Sequence, residues 1–214
     1  KYNLGTNSWQ AVAPLPAARF RHATATLNGK IHVMGGNGLN TCVVYDPSTN
    51  QWTAGPNLPS VVENGRSVSF NGKIYLIGGE GAAGNQVLQF DPSTNQWSAK
   101  ASMPTARSGV ELVVFENRIW AIGSDQTQSN VVESFDPVGN SWRAETSLPN
   151  TADIAWVANG TIYCGVYGGE IFVFDSTNSL WRQSGAMPGY FDEYGYAISA
   201  AVVNAPPTAA ASAP

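Results

Sequence analysis

Short apolar runs with β-branched and aromatic residues recur along the chain, and Asn-Gly pairs separate them. Residues 22–27 and 30–36 flank Asn28-Gly29, and residues 67–70 and 73–79 flank Asn71-Gly72. Asn-Gly between two such runs predicts a β-hairpin, because a type I′ turn needs positive φ at both central residues. Glu116-Asn117 and Asn159-Gly160 stand at the same place in two later copies. The pattern therefore predicts an all-β protein built from tight hairpins.

Each predicted hairpin is followed by a second, more uniform pair of strands. Segments 45–52, 90–97, 135–142 and 174–181 each begin with Tyr or Phe followed by Asp and end with Trp, and residues 2–9 are a partial fifth copy. Asp, Pro, Ser and Asn between these ends favour a turn, since Asp and Asn bond their own backbone and Pro presets φ. The repeating unit is therefore four antiparallel strands: strand A precedes the Asn-Gly turn, B ends at a glycine pair, C ends at the Tyr/Phe-Asp, and D carries the Trp.

A single sheet of this kind cannot bury both of its faces, so neighbouring sheets must stack, and radial stacking gives a β-propeller. A glycine pair, then Tyr/Phe, then Trp, repeated about every 45 residues, resembles the kelch repeat. The resemblance implies a kelch-type β-propeller with four complete four-stranded blades, at about 17–58, 59–103, 104–148 and 149–187. Copies three and four depart from the pattern. Gly123-Ser124 replaces the glycine pair in copy three, and copy four carries Cys164-Gly165 two residues earlier, followed by Gly168-Gly169.

The two ends of the chain read as parts of a fifth blade. Residues 2–9 supply the end of a strand C and a strand D, and residues 196–203 read as a strand A, which leaves strand B missing. Two alternatives stay open: the chain is a fragment of a larger ring, or it closes by strand exchange with another molecule. We assign residues 1–203 to the propeller and the Pro/Ala-rich residues 204–214 to a linker or tail. The opening of that tail resembles the start of the Ig-like domains of secreted bacterial proteins, which favours an extracellular or cell-surface location.

Composition and charge exclude several classes of function. The chain of 214 residues has a net charge of -4 and no basic cluster, so a nucleic-acid partner is not expected. It contains no run of about 20 apolar residues, so no membrane-spanning helix is expected. The 2 histidines lie on separate strands and predict no metal site. We expect the 2 cysteines to be buried free thiols and expect no cofactor.

Strand direction decides which loops share a face of the propeller. Loops D–A and B–C should surround one mouth of the central channel, and they differ between repeats, whereas the A–B and C–D turns on the other face are nearly identical. Specificity is therefore expected at the mouth. Arginine forks suit carboxylates and aromatic rings, and exposed aromatic residues suit protein hot spots or sugars. The candidate ligand-binding residues are Arg19, Arg21, Arg66, Arg107, Tyr167, Tyr190, Phe191 and Tyr194, and we expect Arg21, Arg66 and Arg107 to occupy similar repeat positions and ring the channel.

The sequence favours a non-catalytic module that holds a protein or glycan partner on this mouth. The first alternative is a structural or assembly unit of a multidomain surface protein, completed by strand exchange. The second comes from the resemblance, which includes kelch sugar mutarotases that use polar groups at the channel mouth; here only His22 has a near-neutral unperturbed pKa. The copper chemistry of galactose-oxidase-like kelch proteins is not expected, because no His cluster accompanies a Tyr–Cys pair.

Overall fold

The computed structural model describes residues 1–80, 84–124, 129–166 and 168–186, and within these ranges all paired β-strands are antiparallel and consecutive along the chain. Four sheets have four strands each, and we call them blades 1 to 4. Blade 1 contains β3 (Ala23–Leu27), β4 (Lys30–Met34), β5 (Cys42–Asp46) and β6 (Gln51–Ala54). Blade 2 contains β7 (Arg66–Phe70), β8 (Lys73–Ile77), β9 (Val87–Asp91) and β10 (Gln96–Ala99).

The remaining strands continue the same order. Blade 3 contains β11 (Glu111–Phe115), β12 (Arg118–Ser124), β13 (Ser129–Asp136) and β14 (Ser141–Ala144). Blade 4 contains β15 (Ala152–Ala158), β16 (Thr161–Val166), β17 (Glu170–Asp175) and β18 (Leu180–Ala186). A separate two-stranded hairpin, β1 (Tyr2–Asn3) and β2 (Ser8–Trp9), precedes blade 1. The four predicted blades are therefore confirmed.

The predicted tight turns form because their residues tolerate positive φ. Asn28 and Gly29 have φ of 50° and 74°, and Asn71 and Gly72 have 49° and 71°. Both central residues of a type I′ turn need this conformation, which Asn and Gly adopt at little cost. Glu116-Asn117 adopts the same geometry, with φ of 47° and 58°, so the hairpin survives where glycine is absent.

The hydrophobic core lies between the blades. On β8, Ile74 and Leu76 pack towards blade 1, while Tyr75 and Ile77 on the opposite face pack towards blade 3. This alternation follows from the two-residue period of a strand, which presents successive side chains to opposite faces. The inner strands β3, β7, β11 and β15 contact one another in that order, so the sheets fan out as blades of a propeller.

The repeated tryptophans fasten each blade to the one before it. The indole Nε1 of Trp52 donates to the carbonyl of Ala13 at 3.0 Å, and that of Trp97 donates to Pro56 at 3.0 Å. Trp142 and Trp181 make the equivalent bonds to the carbonyls of Ala101 and Thr146, each at 2.8 Å. The four indoles thus occupy rotationally equivalent positions, as the repeat predicts.

The hairpin β1–β2 has the register expected for outer strands C and D, with Tyr2 opposite Trp9. Its apolar side chains are exposed: Leu4 is 88% and Trp9 81% accessible. The predicted strand at 196–203 and the predicted tail at 204–214 lie outside the described residues.

Both cysteines are buried free thiols, as expected. Cys42 lies in blade 1 and Cys164 in blade 4. Burial raises the pKa of the Cys42 thiol to about 11 and also raises that of Cys164. Both are therefore protonated at neutral pH and unreactive. Within the described residues, no helix is long and apolar enough to cross a membrane.

Candidate binding face

The D–A and B–C loops meet on one face, which we call the mouth. The amide of Gly36, after β4, donates to the carbonyl of Val62 in the next D–A loop at 2.8 Å. One blade further, the amide of Glu80 donates to the carbonyl of Glu63 at 2.9 Å. These bonds join the two loop types directly, so the predicted shared face is confirmed for the described loops.

Three residues at one repeat position link the blades at the mouth. Arg21, Asn64 and Gly109 each lie two residues before the inner strand of their blade, and their φ angles are 55°, 54° and 58°. The amide of Asn64 donates to the carbonyl of Arg21, and the amide of Gly109 donates to that of Asn64, both at 2.9 Å. We call this chain of bonds the mouth ladder. It holds three successive D–A loops in one rigid arc.

Arg21 departs from what this position favours. Asn and Gly adopt the left-handed region readily, whereas most other side chains pay a cost there, about 1–3 kcal/mol at strained positions. The Arg21 side chain is 48% exposed, and its Nη1 lies 2.9 Å from Glu80 Oε1 of the neighbouring blade. An exposed ion pair of this kind contributes only about 0–1 kcal/mol. The strain is thus retained at a side chain that points to solvent and can exchange its partner.

Arg66 also lies at the mouth but at a different repeat position. It is the first residue of β7, its side chain is 39% exposed, and its Nε lies 3.8 Å from Glu111 Oε1 on the first residue of β11. Arg21 precedes its inner strand by two residues and Arg107 by four. The three arginines thus stand at different offsets from their inner strands, which corrects the prediction that Arg21, Arg66 and Arg107 occupy similar repeat positions.

Arg107 is a buried structural residue, which corrects its assignment as a ligand-binding side chain. Its side chain is 1% exposed and its Nη2 lies 2.6 Å from Glu133 Oε2. Nη1 donates to the carbonyls of Gly123 at 3.0 Å and Val131 at 2.8 Å. Thr105 Oγ1 donates to the second Glu133 oxygen at 2.8 Å. The guanidinium therefore donates hydrogen bonds to both ends of the B–C loop from below the mouth, and these donors are not available to a ligand.

Arg19 has the same role in blade 1. Its Nη1 donates to the carbonyls of Gly35 at 3.1 Å and Thr41 at 2.8 Å, and its Nη2 donates to Thr41 Oγ1 at 2.7 Å. Its bond to Gly35 repeats the bond from Arg107 to Gly123, and both span 16 residues. That common spacing was the signal that could have separated these two arginines from Arg21. Both Nη atoms of Arg19 are thus hydrogen-bonded within its own blade, whereas its Nε is buried without a hydrogen-bond partner.

The described mouth therefore combines a few exposed side chains on a rigid frame. Besides Arg21 and Arg66, two apolar residues of the D–A loops are exposed: Phe20 at 56% and Val61 at 50% accessibility. Val61 was missed by sequence reasoning, because a single valine in a loop carries no pattern. The predicted site residues Tyr167, Tyr190, Phe191 and Tyr194 lie outside the described residues. Within the four described ranges, His, Cys, Asp and Glu side chains form no group of three that could hold a metal ion.

Comparison with known proteins places these features in a family. The kelch motif matches residues 18–59, 64–104 and 106–149. An F-box/kelch-repeat protein of Arabidopsis thaliana is 40% identical over 52 residues, which are 22% of this chain and 14% of that protein. The solved structure of YjhT superposes with a TM-score of 0.72 at 20% identity, over 84% of this chain and 74% of that one. At that identity the likeness supports the fold alone.

The matched segments coincide with blades 1 to 3, and blade 4 is the one whose glycines depart most from the repeat. Because the kelch motif covers more than half of the residues, the chain belongs to the kelch-repeat family and is a kelch β-propeller, a fold that generally serves as a protein-interaction module.

Proposed function

We propose that the protein binds a segment of a partner protein at the mouth, with Arg21 and Arg66 as its polar anchors and Phe20 and Val61 as its apolar contacts. The observation that carries the proposal is Arg21: an exposed arginine in a left-handed conformation, at a position where the next two blades use Asn and Gly. Strain of this kind persists where the surrounding structure fixes it, and it clusters at binding and active sites.

The chemistry of the mouth favours a segment that carries carboxylates beside apolar or aromatic side chains. Arg21 and Arg66 each face a glutamate across a blade boundary, so a partner carboxylate can replace Glu80 or Glu111 without leaving an unpaired buried charge. Arginine and aromatic residues are the types that dominate binding energy at protein interfaces. The mouth ladder fixes the loops before binding, which lowers the ordering cost of association.

The double variant Arg21→Ala/Arg66→Ala should lose at least tenfold in affinity for the peptides that the wild-type protein selects from an array of acidic and acidic–aromatic sequences. Titration of those peptides by fluorescence anisotropy measures the loss. The melting temperature should hardly change, because both ion pairs are exposed. Arg143→Ala is the matched control: it removes an exposed, ion-paired arginine of β14, away from the mouth.

Equal affinity of the double variant and the wild-type protein would remove Arg21 and Arg66 from the site. If the protein selected glycans in a parallel glycan array but no peptide, the partner would be a glycan instead of a protein segment, and the mouth would remain the binding site. Both arrays are therefore probed with the wild-type protein, the Arg21→Ala/Arg66→Ala variant and the Arg143→Ala control.

A second candidate function is assembly by strand exchange, and the exposed hairpin β1–β2 favours it. Trp9 presents apolar surface that the other repeats cover, since the equivalent indoles each bond a neighbouring blade. A partner chain that supplies the neighbouring strands would cover this surface. In the same titrations, loss of binding in Trp9→Ala with retention in the arginine double variant would assign the contact to the hairpin.

We propose binding rather than catalysis, at an extracellular surface. The buried carboxylate of Glu133 is held by Arg107 and Thr105, so it is not free to act as a base. The location is supported by the composition of residues 204–214, which resembles a linker between domains of secreted proteins.

A further inference from the structure

A cavity of about 350 Å³ opens between blades 1 and 2, and none of the four exposed mouth residues named above lines it. Its walls are mainly apolar and come from the A–B hairpin of blade 1, the exit of β6 and the C–D loop of blade 2: Leu27, Val44, Pro56, Phe90 and Pro92. Asn28, Lys30, Thr53 and Asn95 also line it. Its volume falls in the lower part of the range for small-molecule sites, roughly 300–1,000 Å³.

The cavity exists because three inter-blade positions carry smaller side chains in blade 1 than in blade 2. By strand register, Leu27, His32 and Val44 of blade 1 correspond to Phe70, Tyr75 and Gln89 of blade 2. In blade 2 the tyrosine ring fills the space beside Phe135, with centroids 6.1 Å apart, and its hydroxyl accepts from Gln89 Nε2 at 2.6 Å. Blade 3 uses Phe115 and Trp120 at the first two of these positions. Blade 1 thus leaves open a space about the size of a phenol ring, which the side chain of Tyr75 fills at the corresponding place in blade 2.

His32 gives this cavity a polar anchor. The residue lines the cavity, is 7% exposed, and its Nδ1 is buried without a hydrogen-bond partner. Its ring lies 5.5 Å from that of Phe90, which forms a cavity wall. Burial lowers the pKa of His32, with a smaller contribution from Lys30, so the imidazole is neutral at pH 7. A neutral imidazole has one donor and one acceptor, which matches a hydroxyl group. A ligand hydroxyl can pair with the part of the imidazole that lines the cavity.

We propose that this inter-blade cavity is a binding site for a small planar aromatic molecule that carries a hydroxyl group. The ring occupies the place that Tyr75 fills in the next blade interface, between Phe90 and the apolar walls, and the hydroxyl bonds the imidazole of His32. The site is separate from the mouth and does not depend on the function proposed there.

Titration of the ¹⁵N-labelled protein with p-cresol, followed by ¹H–¹⁵N correlation spectra, tests the site. Saturable shifts should appear at residues 27–32, 53–56 and 90–95, and toluene, which lacks the hydroxyl, should bind at least threefold more weakly. His32→Tyr supplies internally the ring that the site lacks, and it should weaken p-cresol binding at least tenfold. Leu27→Phe narrows the cavity from the A–B hairpin of blade 1 and should do the same, which keeps the test open if one variant fails to fold.

Val138→Ala is the control, because Val138 is 91% exposed and lies in a turn of blade 3, outside the cavity lining. It should bind p-cresol like the wild-type protein. Shifts scattered over the surface, shifts confined to the mouth, or equal affinity of the folded His32→Tyr and Leu27→Phe variants and the wild-type protein would each overturn the proposal.

Discussion

Arg107→Met should lower the free energy of unfolding by about 3–5 kcal/mol, because it leaves the Glu133 carboxylate buried without its counter-charge. Both side chains are nearly inaccessible, at 1% and 5% exposure. The variant also removes the donors to the carbonyls of Gly123 and Val131, which join the two ends of a B–C loop. Urea denaturation monitored by circular dichroism measures the change.

Two control variants separate the buried charge from the loss of arginine itself. Arg107→Met/Glu133→Leu removes both charges and should recover at least half of the lost stability, since apolar side chains of similar volume often replace a buried pair without loss. Arg143→Ala breaks the pair with Glu145, in which the arginine is 56% exposed, and should cost about 0–1 kcal/mol. A cost below about 1 kcal/mol for Arg107→Met would show that the pair is hydrated and not buried.

Gly78→Ala should destabilise the protein more than Gly72→Ala, although both glycines have nearly the same φ, 72° and 71°. A Cβ at Gly78 would lie 2.5 Å from the carbonyl oxygen of Arg107 in the next D–A loop, whereas nothing lies within 4 Å of a Cβ at Gly72. The left-handed backbone at alanine should lower the free energy of unfolding of both variants by about 1–3 kcal/mol. Only Gly78→Ala must also push two blades apart, which adds about 1–3 kcal/mol.

The difference between the urea denaturation midpoints of the two variants measures the destabilisation that comes from the close contact between the blades. Equal midpoints for the two alanine variants would mean that the glycine pair serves only its own turn. A larger loss in Gly78→Ala would assign it to blade packing, which is why the repeat keeps glycine where strand B ends.

The blades were predictable because their signals are local. Asn28-Gly29 and Asn71-Gly72 encode a turn type by themselves, and the spacing of the tryptophans encodes the period that the indole bonds use. The three predicted boundaries between the blades fall in described loops, at Leu58-Pro59, Met103-Pro104 and Leu148-Pro149, and so agree with the sheets.

The roles of the arginines were not predictable from composition, because they depend on contacts far apart in sequence. Arg19 and Arg107 turn inward because carbonyls of the B–C loops, such as those of Gly35 and Gly123, need donors there. Arg21 stays outside because the mouth ladder uses its backbone, and Arg is an unusual choice for positive φ. The cavity beside His32 arises from the combined volumes of side chains on three strands, a sum that no single position reveals.

The account rests on blades that fan around one axis and are joined at the mouth by backbone hydrogen bonds. Amide hydrogen exchange of Asn64 and Gly109, followed by NMR, tests this most directly, because each amide lies in a loop and its bond goes to the preceding D–A loop. We expect both amides to exchange as slowly as those of the inner strand β7. Exchange as fast as that of exposed loop amides such as Asn57 would contradict the mouth ladder and the binding face built on it.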